Sequence, residues 1–502
     1  MSSSTKDLAK QWANPGDILS ILLLIGSDIV QKAITQLVGH KLRIPGTKTH
    51  FHIAPVAFSF GWATYGFTNL VAAVGSMRLM PTTDCPSILV NSSNGFTRDN
   101  RSWVLGRILR DHEIHHMVDP RPISEGGRAE SIRIDVFHLN PVKSPTCDMI
   151  WWLGWATLAT QLVIVTIPGF LYGDWTILLI ALVGICLVFI TVALPQWNEE
   201  KWATPSLLTR EKVTCLTRGN GYLHIMVFIG CSGSLDLERL ATRMSTPRAG
   251  TRWISLLLAI LWICLLVSIS ALKEHTWFLI GIGGLGMLHN VLAAGISRDP
   301  AASNFHLTKF ERAPTIIGIH QGSGNDDADA NVDPDQVRQE LSDLEAWVSS
   351  PTNTQGETAN EPCSHLPTSS PSWITSMSEK DGTPDWLRAV QPTFTEPSDT
   401  EAAQPSTKQT WNPFKPNTSN TGKVIYAKGV HGALMELEKW VPNAGLSMVQ
   451  IFFPTGLQYH DEAIRDNVHK KFWKRAYNTR KLRAKAEEKR RAEDRPGDLL
   501  EV

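Results

Sequence analysis

Apolar residues along this chain are gathered into long uncharged runs separated by polar segments. A helix needs about 20 apolar residues to cross the hydrocarbon core of a bilayer. Five runs reach this length, at Ile53–Gly75, Met149–Tyr172, Trp175–Trp197, Trp253–Leu272 and Thr276–Ser297. Tryptophans stand at the ends of several runs, as in the aromatic belts of membrane proteins. The pattern predicts five transmembrane helices.

A sixth apolar segment, Ile18–Val38, follows a polar N-terminus at residues 1–17. Its first half is strongly apolar, whereas Asp28 and Lys32 belong to a polar stripe at helical spacing in the second half. Such a helix either crosses the bilayer with its stripe turned toward other helices or lies flat at the interface. We therefore expect an α-helical polytopic membrane protein with five or six transmembrane helices.

The connections between the five runs alternate in length. Two are very short, at 173–174 and 273–275, so the long polar segments 76–148, 198–252 and 298–502 share one face of the membrane. Near the helix ends, four basic residues lie on the other face, namely Lys41, Arg43, Lys48 and Lys273. Twelve lie on the face of the long segments: Arg78, Lys143, Lys201, Arg210, Lys212, Arg239, Arg243, Arg248, Arg252, Arg298, Lys309 and Arg312. Because basic residues favour the cytosol, this count predicts that the long segments are cytosolic.

Two other features favour the opposite orientation. Asn91, Asn100 and Asn417 each begin an Asn-x-Ser/Thr tripeptide, a possible N-glycosylation site of luminal segments. Cys85 and Cys147 enclose one long segment and would be able to form a disulfide if that segment were luminal. Because the tripeptide is short enough to arise by chance, we give the charge count more weight.

The first two long segments have the patterns of a folded domain. The predicted strands are Ser87–Asn91, Ser131–Leu139, Lys212–Thr217 and Tyr222–Gly230. The predicted helices are Arg101–Met117 and Ser234–Met244. Together these elements predict a small inserted α/β extramembrane module.

The last part of the chain differs in composition from the rest. Pro, Ser, Thr, Asn, Asp and Gly dominate residues 320–421, which therefore bury too little apolar area to fold and are predicted to be a disordered linker. Order is expected to return at 428–457, and a charged helix is predicted at 461–494 with the basic run His469–Lys485. Because 48 basic residues balance 48 acidic ones over the whole chain, we expect this run to bind anionic lipid rather than nucleic acid.

One motif has a catalytic interpretation. Residues 112–116 match H-E-x-x-H, which on a helix places His112 and His116 one turn apart for zinc and Glu113 for activation of water. No third ligand is evident, so a His-rich helix end is the preferred interpretation. Gly281–Gly286 matches G-x-G-x-x-G, but inside an apolar run small residues serve close helix packing. No cofactor is predicted.

Several stretches of the chain resemble a known family. They begin at Asn14 (NPGDILSILLLIGSDIVQKA), Pro55 (PVAFSFGW), Asp99 (DNRSWVLGRILRD), Leu194 (LPQWNEEKW), Val213 (VTCLTRGNG) and Leu235 (LDLERLA). Over residues 13–300, and more weakly at Gly445–Leu457, the chain resembles a family of multi-pass membrane proteins of filamentous fungi without an established activity. The resemblance implies a membrane topology, a fungal origin and an accessory role near secondary metabolism, but no catalytic residue.

Three functions are compatible with these patterns. The first is a non-enzymatic sensor, scaffold or adaptor with the lipid bilayer and a further protein as partners, since the soluble parts are larger than a channel needs. The second is a small-solute transporter, with Asp28, Lys32, His289 and Asn290 as a possible transport path and Asn69 and Gln161 as further polar groups at membrane depth. The third is a zinc hydrolase at His112 and His116.

Overall fold

The computed structural model of the 502-residue chain describes residues 26–43, 50–75, 78–118, 129–202, 207–242, 249–272, 274–309, 315–320, 424–441 and 443–454. The predicted polar N-terminus, the disordered linker, the basic helix and Asn417 lie outside the described residues, and so does the first part of the sixth apolar segment.

The described residues form both helices and strands. The helices are α1 (Ser27–Leu37), α2 (Trp62–Val74), α3 (Trp103–His115), α4 (Met149–Tyr172), α5 (Thr176–Val192), α6 (Pro195–Trp202), α7 (Leu237–Thr242), α8 (Ala249–Ser270), α9 (Thr276–Gly295), α10 (Gly429–Trp440) and α11 (Ala444–Phe452). The strands are β1 (His40–Arg43), β2 (His50–Ile53), β3 (Ile88–Asn91), β4 (Thr97–Asp99), β5 (Ala129–Leu139), β6 (Lys212–Thr217), β7 (His224–Gly230), β8 (Leu307–Lys309), β9 (Thr315–His320) and β10 (Val424–Lys428).

Three of the described helices, α4, α8 and α9, are long and apolar enough to cross a membrane. Helices α5 and α6 meet at an angle of 41° and give a fourth candidate only if the pair is counted as one span. The break lies at Pro195, whose missing N–H and fixed φ suit the start of a new helix better than the continuation of an old one. The number of apolar spans is therefore smaller than the five or six predicted.

The predicted span Ile53–Gly75 is wrong as a continuous helix. Strand β2 ends at Ile53, residues 54–60 form neither helix nor strand, and α2 begins only at Trp62 after Gly61 turns the chain with a φ of 87°. The 13 residues of α2 extend about 20 Å, which is less than the roughly 30 Å of a bilayer core. Glycine fits this turn because it adopts positive φ without steric cost.

Residues 54–60 run down into the helix bundle, and α2 brings the chain back to the same end. A Cβ atom added at Gly154, near the start of α4, would overlap the Pro55 carbonyl oxygen, and one at Gly286 in α9 would overlap that of Phe58. After α2, the Leu79 carbonyl accepts a hydrogen bond from Gln31 in α1 at 2.7 Å. We call residues 54–75 the re-entrant segment.

The polar segments form one sheet of eight strands in the order β10-β9-β5-β7-β6-β3-β4, with β8 paired to β5. The pairs β5–β7 and β9–β10 are parallel and the remaining pairs are antiparallel. Its strands come from all three long segments, which confirms the α/β module. The strands β4, β8, β9 and β10 were not predicted.

The sheet is covered on both faces. Ile132, Ile134 and Val136 of β5 pack with α10 and α11, whereas Leu139 belongs to the apolar cluster that continues through α3 and α7 into the membrane helices. This alternation follows from the two-residue period of a strand. Helix α3 therefore lies between the sheet and the helix bundle, with both of its sides buried.

The hairpin β1–β2 lies at the end of the bundle that faces the sheet. The His40 ring lies 5.0 Å from that of Trp151 at the start of α4, and Asn198 of α6 hydrogen-bonds His52. Lys41 and Arg43, which are in β1, thus belong to the same side as the long segments. Their assignment to the opposite side is corrected, because the re-entrant segment returns to the side from which it enters.

Candidate functional site

Helix α3 carries the H-E-x-x-H motif in its last turn and contacts both the sheet and the bundle. His112 Nε2 lies 3.0 Å from Asp135 Oδ2 of strand β5. Arg133 Nε donates to the same oxygen at 2.8 Å, and Thr315 donates to Oδ1 at 2.7 Å. Burial raises the pKa of Asp135, but the hydrogen bonds and charges of His112 and Arg133 outweigh it and hold that pKa well below its usual value.

Two further imidazoles surround this ion pair. The ring of His112 lies 4.6 Å from that of His116 and 6.0 Å from that of His224 on β7. His224 Nε2 is 2.6 Å from the His116 carbonyl oxygen, so Nε2 carries the proton that it donates. Burial lowers the pKa of His224 to about 4, because the charged form loses its hydration.

The zinc interpretation of the motif does not match these contacts. His112 faces Asp135, and Glu113 forms an ion pair with Arg218 at 3.1 Å instead of standing free to activate water. Within the described residues, no group of three His, Cys, Asp or Glu side chains is arranged to hold a metal ion. The three predicted residues are therefore close together, but they are engaged in ion pairs and hydrogen bonds of the domain.

The other side of α3 binds the end of α9 through charged groups. The Arg107 guanidinium pairs with Asp84 at 3.2 Å and with Asp111 at 3.3 Å. Its Nη2 donates to the carbonyl oxygens of Gly295 and Ile296 at 3.1 and 2.8 Å. These carbonyls end α9 and have no partner inside the helix, so Arg107 joins the α/β domain to one of the long apolar helices.

A second cation joins three more helix ends. Arg298, which follows α9, makes a two-pronged ion pair with Asp148 at the start of α4, at 2.6 and 2.8 Å. It also donates to the Gln36 carbonyl at the end of α1, and Lys201 of α6 donates to that oxygen at 3.2 Å. We call Asp84, Arg107, Arg110, Asp111, Asp148, Lys201 and Arg298 the helix-end junction.

Of the predicted transport path, Asn290 lies against the re-entrant segment. Its Nδ2 donates to the Ala57 carbonyl at 3.1 Å and to Ser59 Oγ at 2.7 Å. Gln161 of α4 donates in the same way to the carbonyls of Phe58 and Ile282, at 2.6 and 2.8 Å. Both amides are fully buried and hold backbone that has no helical hydrogen bonds. His289 is buried beside Asn290 and the backbone of Ile150.

The other two residues of the predicted path lie elsewhere. Asp28 is exposed, and Lys32 pairs with Asp84 at 3.6 Å rather than with Asp28. The structure therefore separates the charged pair, which lies at the sheet side, from the buried amides. Asn69 is buried in α2.

The predicted modification sites are poorly placed for their chemistry. Asn91 and Asn100 are buried, and the Asn100 amide donates to Ser87 Oγ and to the Ser102 carbonyl at 3.0 and 3.1 Å. A glycan on that nitrogen would remove both hydrogen bonds. Cys85 and Cys147 are both free thiols, so the suggested disulfide between them is wrong.

Sequence reasoning missed the helix-end junction and the pair Arg133–Asp135. Arg133 and Asp135 belong to a predicted strand in which residue types alternate. Charged residues in a strand that is expected to be buried could have indicated a polar site there. The junction residues are too far apart in sequence to be grouped in advance.

The fold defines an α/β domain attached through α3 and the helix-end junction to a layer of apolar helices. Comparison with known proteins adds nothing to this description, since no family model, curated protein or solved structure was found to match the chain.

Proposed function

We propose that the protein is a non-enzymatic, multi-pass membrane sensor or adaptor whose α/β domain lies on the cytosolic side. Helices α4, α8 and α9 and the bent pair α5–α6 are its spans, and the re-entrant segment enters from the cytosol and returns there. Helix α1, from the second half of the sixth apolar segment, lies beside these spans, since Gly26, which precedes its first residue, packs against Met287 within α9.

The cytosolic side is supported by two observations. With Lys41 and Arg43 moved to the side of the sheet, the basic residues near the helix ends number 14 there (12 + 2). The burial of Asn91 and Asn100 also removes the strongest argument for a luminal domain.

The sensing role rests on one observation, the position of α3. A single helix carries His112, which contacts the sheet, and Arg107, which contacts the end of α9. Buried ion pairs contribute little net stability but fix one arrangement and are sensitive to the loss of a partner. A change in the α/β domain is therefore passed to the membrane helices through α3.

Topology is tested first, with full-length protein in sealed microsomes. One epitope tag follows the C-terminus and another replaces the exposed turn at Ser93–Asn94. We expect protease to remove both tags without detergent and glycosidase to leave mobility unchanged. Protection of both tags would overturn the cytosolic assignment.

Coupling is tested by hydrogen–deuterium exchange of the protein in nanodiscs. Arg298→Met removes the ion pair with Asp148, and we expect faster exchange both in α9 and in α3. Arg239→Met is the matched control, because this arginine is exposed and pairs only at the surface. Faster exchange confined to α9 would contradict a sensing role for α3.

Transport is the second candidate function, and the re-entrant segment favours it. Non-helical backbone at membrane depth is tolerated only where protein or a water-filled cavity satisfies it, and in transporters it often marks the binding site. Liposomes containing the protein and a mixture of small neutral, cationic and anionic solutes would be assayed for efflux by mass spectrometry. Flux lost in Asn290→Leu but retained in the lipid-facing Leu288→Ala would support transport, and no flux of any solute would exclude it for this mixture.

A further inference from the structure

Arg133 is the one residue of the His112 cluster whose hydrogen-bonding capacity is left unused. Its side chain is 7% exposed, and its Nε is bound to Asp135. Its Nη2 is buried and makes no hydrogen bond. An unpaired buried donor is unfavourable, and the cost is larger when the donor is charged.

The carboxylate that Arg133 contacts already serves three donors. Asp135 accepts from Arg133 and His112 on Oδ2 and from Thr315 on Oδ1. An additional acceptor with negative charge would satisfy Nη2, which takes part in none of these hydrogen bonds.

The surroundings of Arg133 are suited to such an acceptor. The imidazole of His224 is close enough to Arg133 for their charges to interact, and the rings of His112 and His116 lie on the same side of the sheet. The cluster lies at the last turn of α3, which is followed by Met117, 77% exposed.

We propose that the end of α3, with Arg133 at its base and His112, His116 and His224 around it, binds a small anion that presents a carboxylate or phosphate group. The planar fork of a guanidinium matches these oxyanions better than it matches a spherical ion. The proposal rests on the proposed sensing function and gives the class of ligand that is sensed. His112 and Asp111 are neighbours in α3, so a single helix carries one residue of the anion site and one of the helix-end junction.

The direct test is ligand-dependent thermal stability of the full-length protein in nanodiscs of neutral lipid, followed by tryptophan fluorescence. Inorganic phosphate and acetate are titrated separately at constant ionic strength, because a ligand that binds only the native state raises Tm. We expect Tm to rise with each oxyanion and to remain constant with chloride. A Tm that is unchanged by both oxyanions would overturn the proposal.

The decisive variant is Arg133→Lys. Lysine keeps the positive charge beside Asp135, so the domain folds, but it lacks the second prong of the fork. We expect at least about a tenfold weaker apparent affinity for phosphate. The matched control is the exposed Arg239→Lys, which leaves affinity unchanged. Equal phosphate affinity in wild type and Arg133→Lys would show that the anion binds elsewhere.

Two further arms identify the source of the anion and keep the two proposals separate. Nanodiscs containing phosphatidic acid without free phosphate test a lipid headgroup, and neutral nanodiscs with phosphate test a soluble ligand. Loss of the Arg133→Lys effect in both arms would overturn the anion site alone. Retained binding with exchange changes confined to the sheet would instead overturn the sensing function.

Discussion

Two buried polar clusters hold this molecule together, and they use different chemistry. In the middle of the helix bundle, the neutral amides of Gln161 and Asn290 bind the non-helical backbone of the re-entrant segment. At the ends of the helices, the junction uses full charges, as in the pair Arg298–Asp148. Both clusters satisfy carbonyl groups that lack a helical partner.

The difference follows from the cost of removing each group from water. An uncompensated charge deep in an apolar environment costs far more than an amide that keeps its hydrogen bonds. At the helix ends charges are buried as well, but they are paired, as Arg298 is with Asp148, and such pairs give the stronger, more directional contacts. Uncharged amides therefore bind backbone in the middle of the bundle, and paired charges bind it at the helix ends.

The largest effect is expected from closing the space that the re-entrant segment needs. In Gly286→Ala, the added Cβ would overlap the backbone carbonyl of Phe58, which has no flexible side chain to move aside. We expect a loss of about 5 kcal/mol or more, or no folded species at all, measured by size-exclusion profile and thermal melting. Gly281→Ala is the control, since its Cβ meets nothing within 4 Å; equal behaviour of both variants would refute the close approach.

The charged cluster is broken by Arg107→Met. This substitution keeps most of the volume but removes the Arg107 donors from Asp84, Asp111 and the carbonyls that end α9, of which that of Gly295 keeps the donor Arg110. We expect a loss of about 3–5 kcal/mol, read from unfolding in denaturant. Arg239→Met should cost less than about 1 kcal/mol, because its ion pair is exposed. A similar loss of stability in both variants would mean that the ion pairs of the junction contribute no more than an exposed ion pair.

The amide cluster is broken more gently by Gln161→Leu. The carbonyls of Phe58 and Ile282 lose a donor, but no charge is left behind, so we expect a loss of about 2–4 kcal/mol. The measurement is the same unfolding series. A cost above that of Arg107→Met would reverse the ranking of amides and charges.

The smallest effect per unit of change is a pH dependence of stability that comes from His224. The pKa of His224 is about 4 in the folded protein against 6.5 for the free side chain. The part of the free energy of unfolding that is linked to the titration of His224 is fully present above pH 6.5. It is lost at about 1.4 kcal/mol per pH unit as the pH falls toward 4, because the unfolded chain binds the proton more readily. His224→Gln should flatten stability between pH 6.5 and 4, measured without added anion; an unchanged slope would assign the titration to another group.

The sequence predicted those elements whose pattern is local. Met149–Tyr172 has the bounds of α4, since an uncharged run of that length has few alternatives, and the alternation at 131–139 identified β5. Within 428–457, where order was expected to return, the structure has α10 and α11. Each of these depends on neighbours within one or two turns of chain.

The remaining features depend on contacts between distant residues. The re-entrant segment is as apolar as a span, and only Pro55 and Gly61 mark where the chain leaves helical geometry. Arg298 and Asp148 are 150 positions apart, and no spacing rule connects them. The H-E-x-x-H motif lies on the helix that carries the candidate anion site, but its catalytic interpretation was zinc binding.

The strand order also determines when the domain can be completed during synthesis. Strand β5 needs β7, which follows two apolar helices, and β9, which follows two more. Because the chain is made from its N-terminus, the long apolar helices α4, α5, α8 and α9 leave the ribosome before the sheet closes. A transcript truncated after α9 would produce a chain with an open edge at β5, and such unpaired edges promote aggregation. We therefore expect cells to treat chains that end prematurely as misfolded proteins and not to retain them as shortened functional ones.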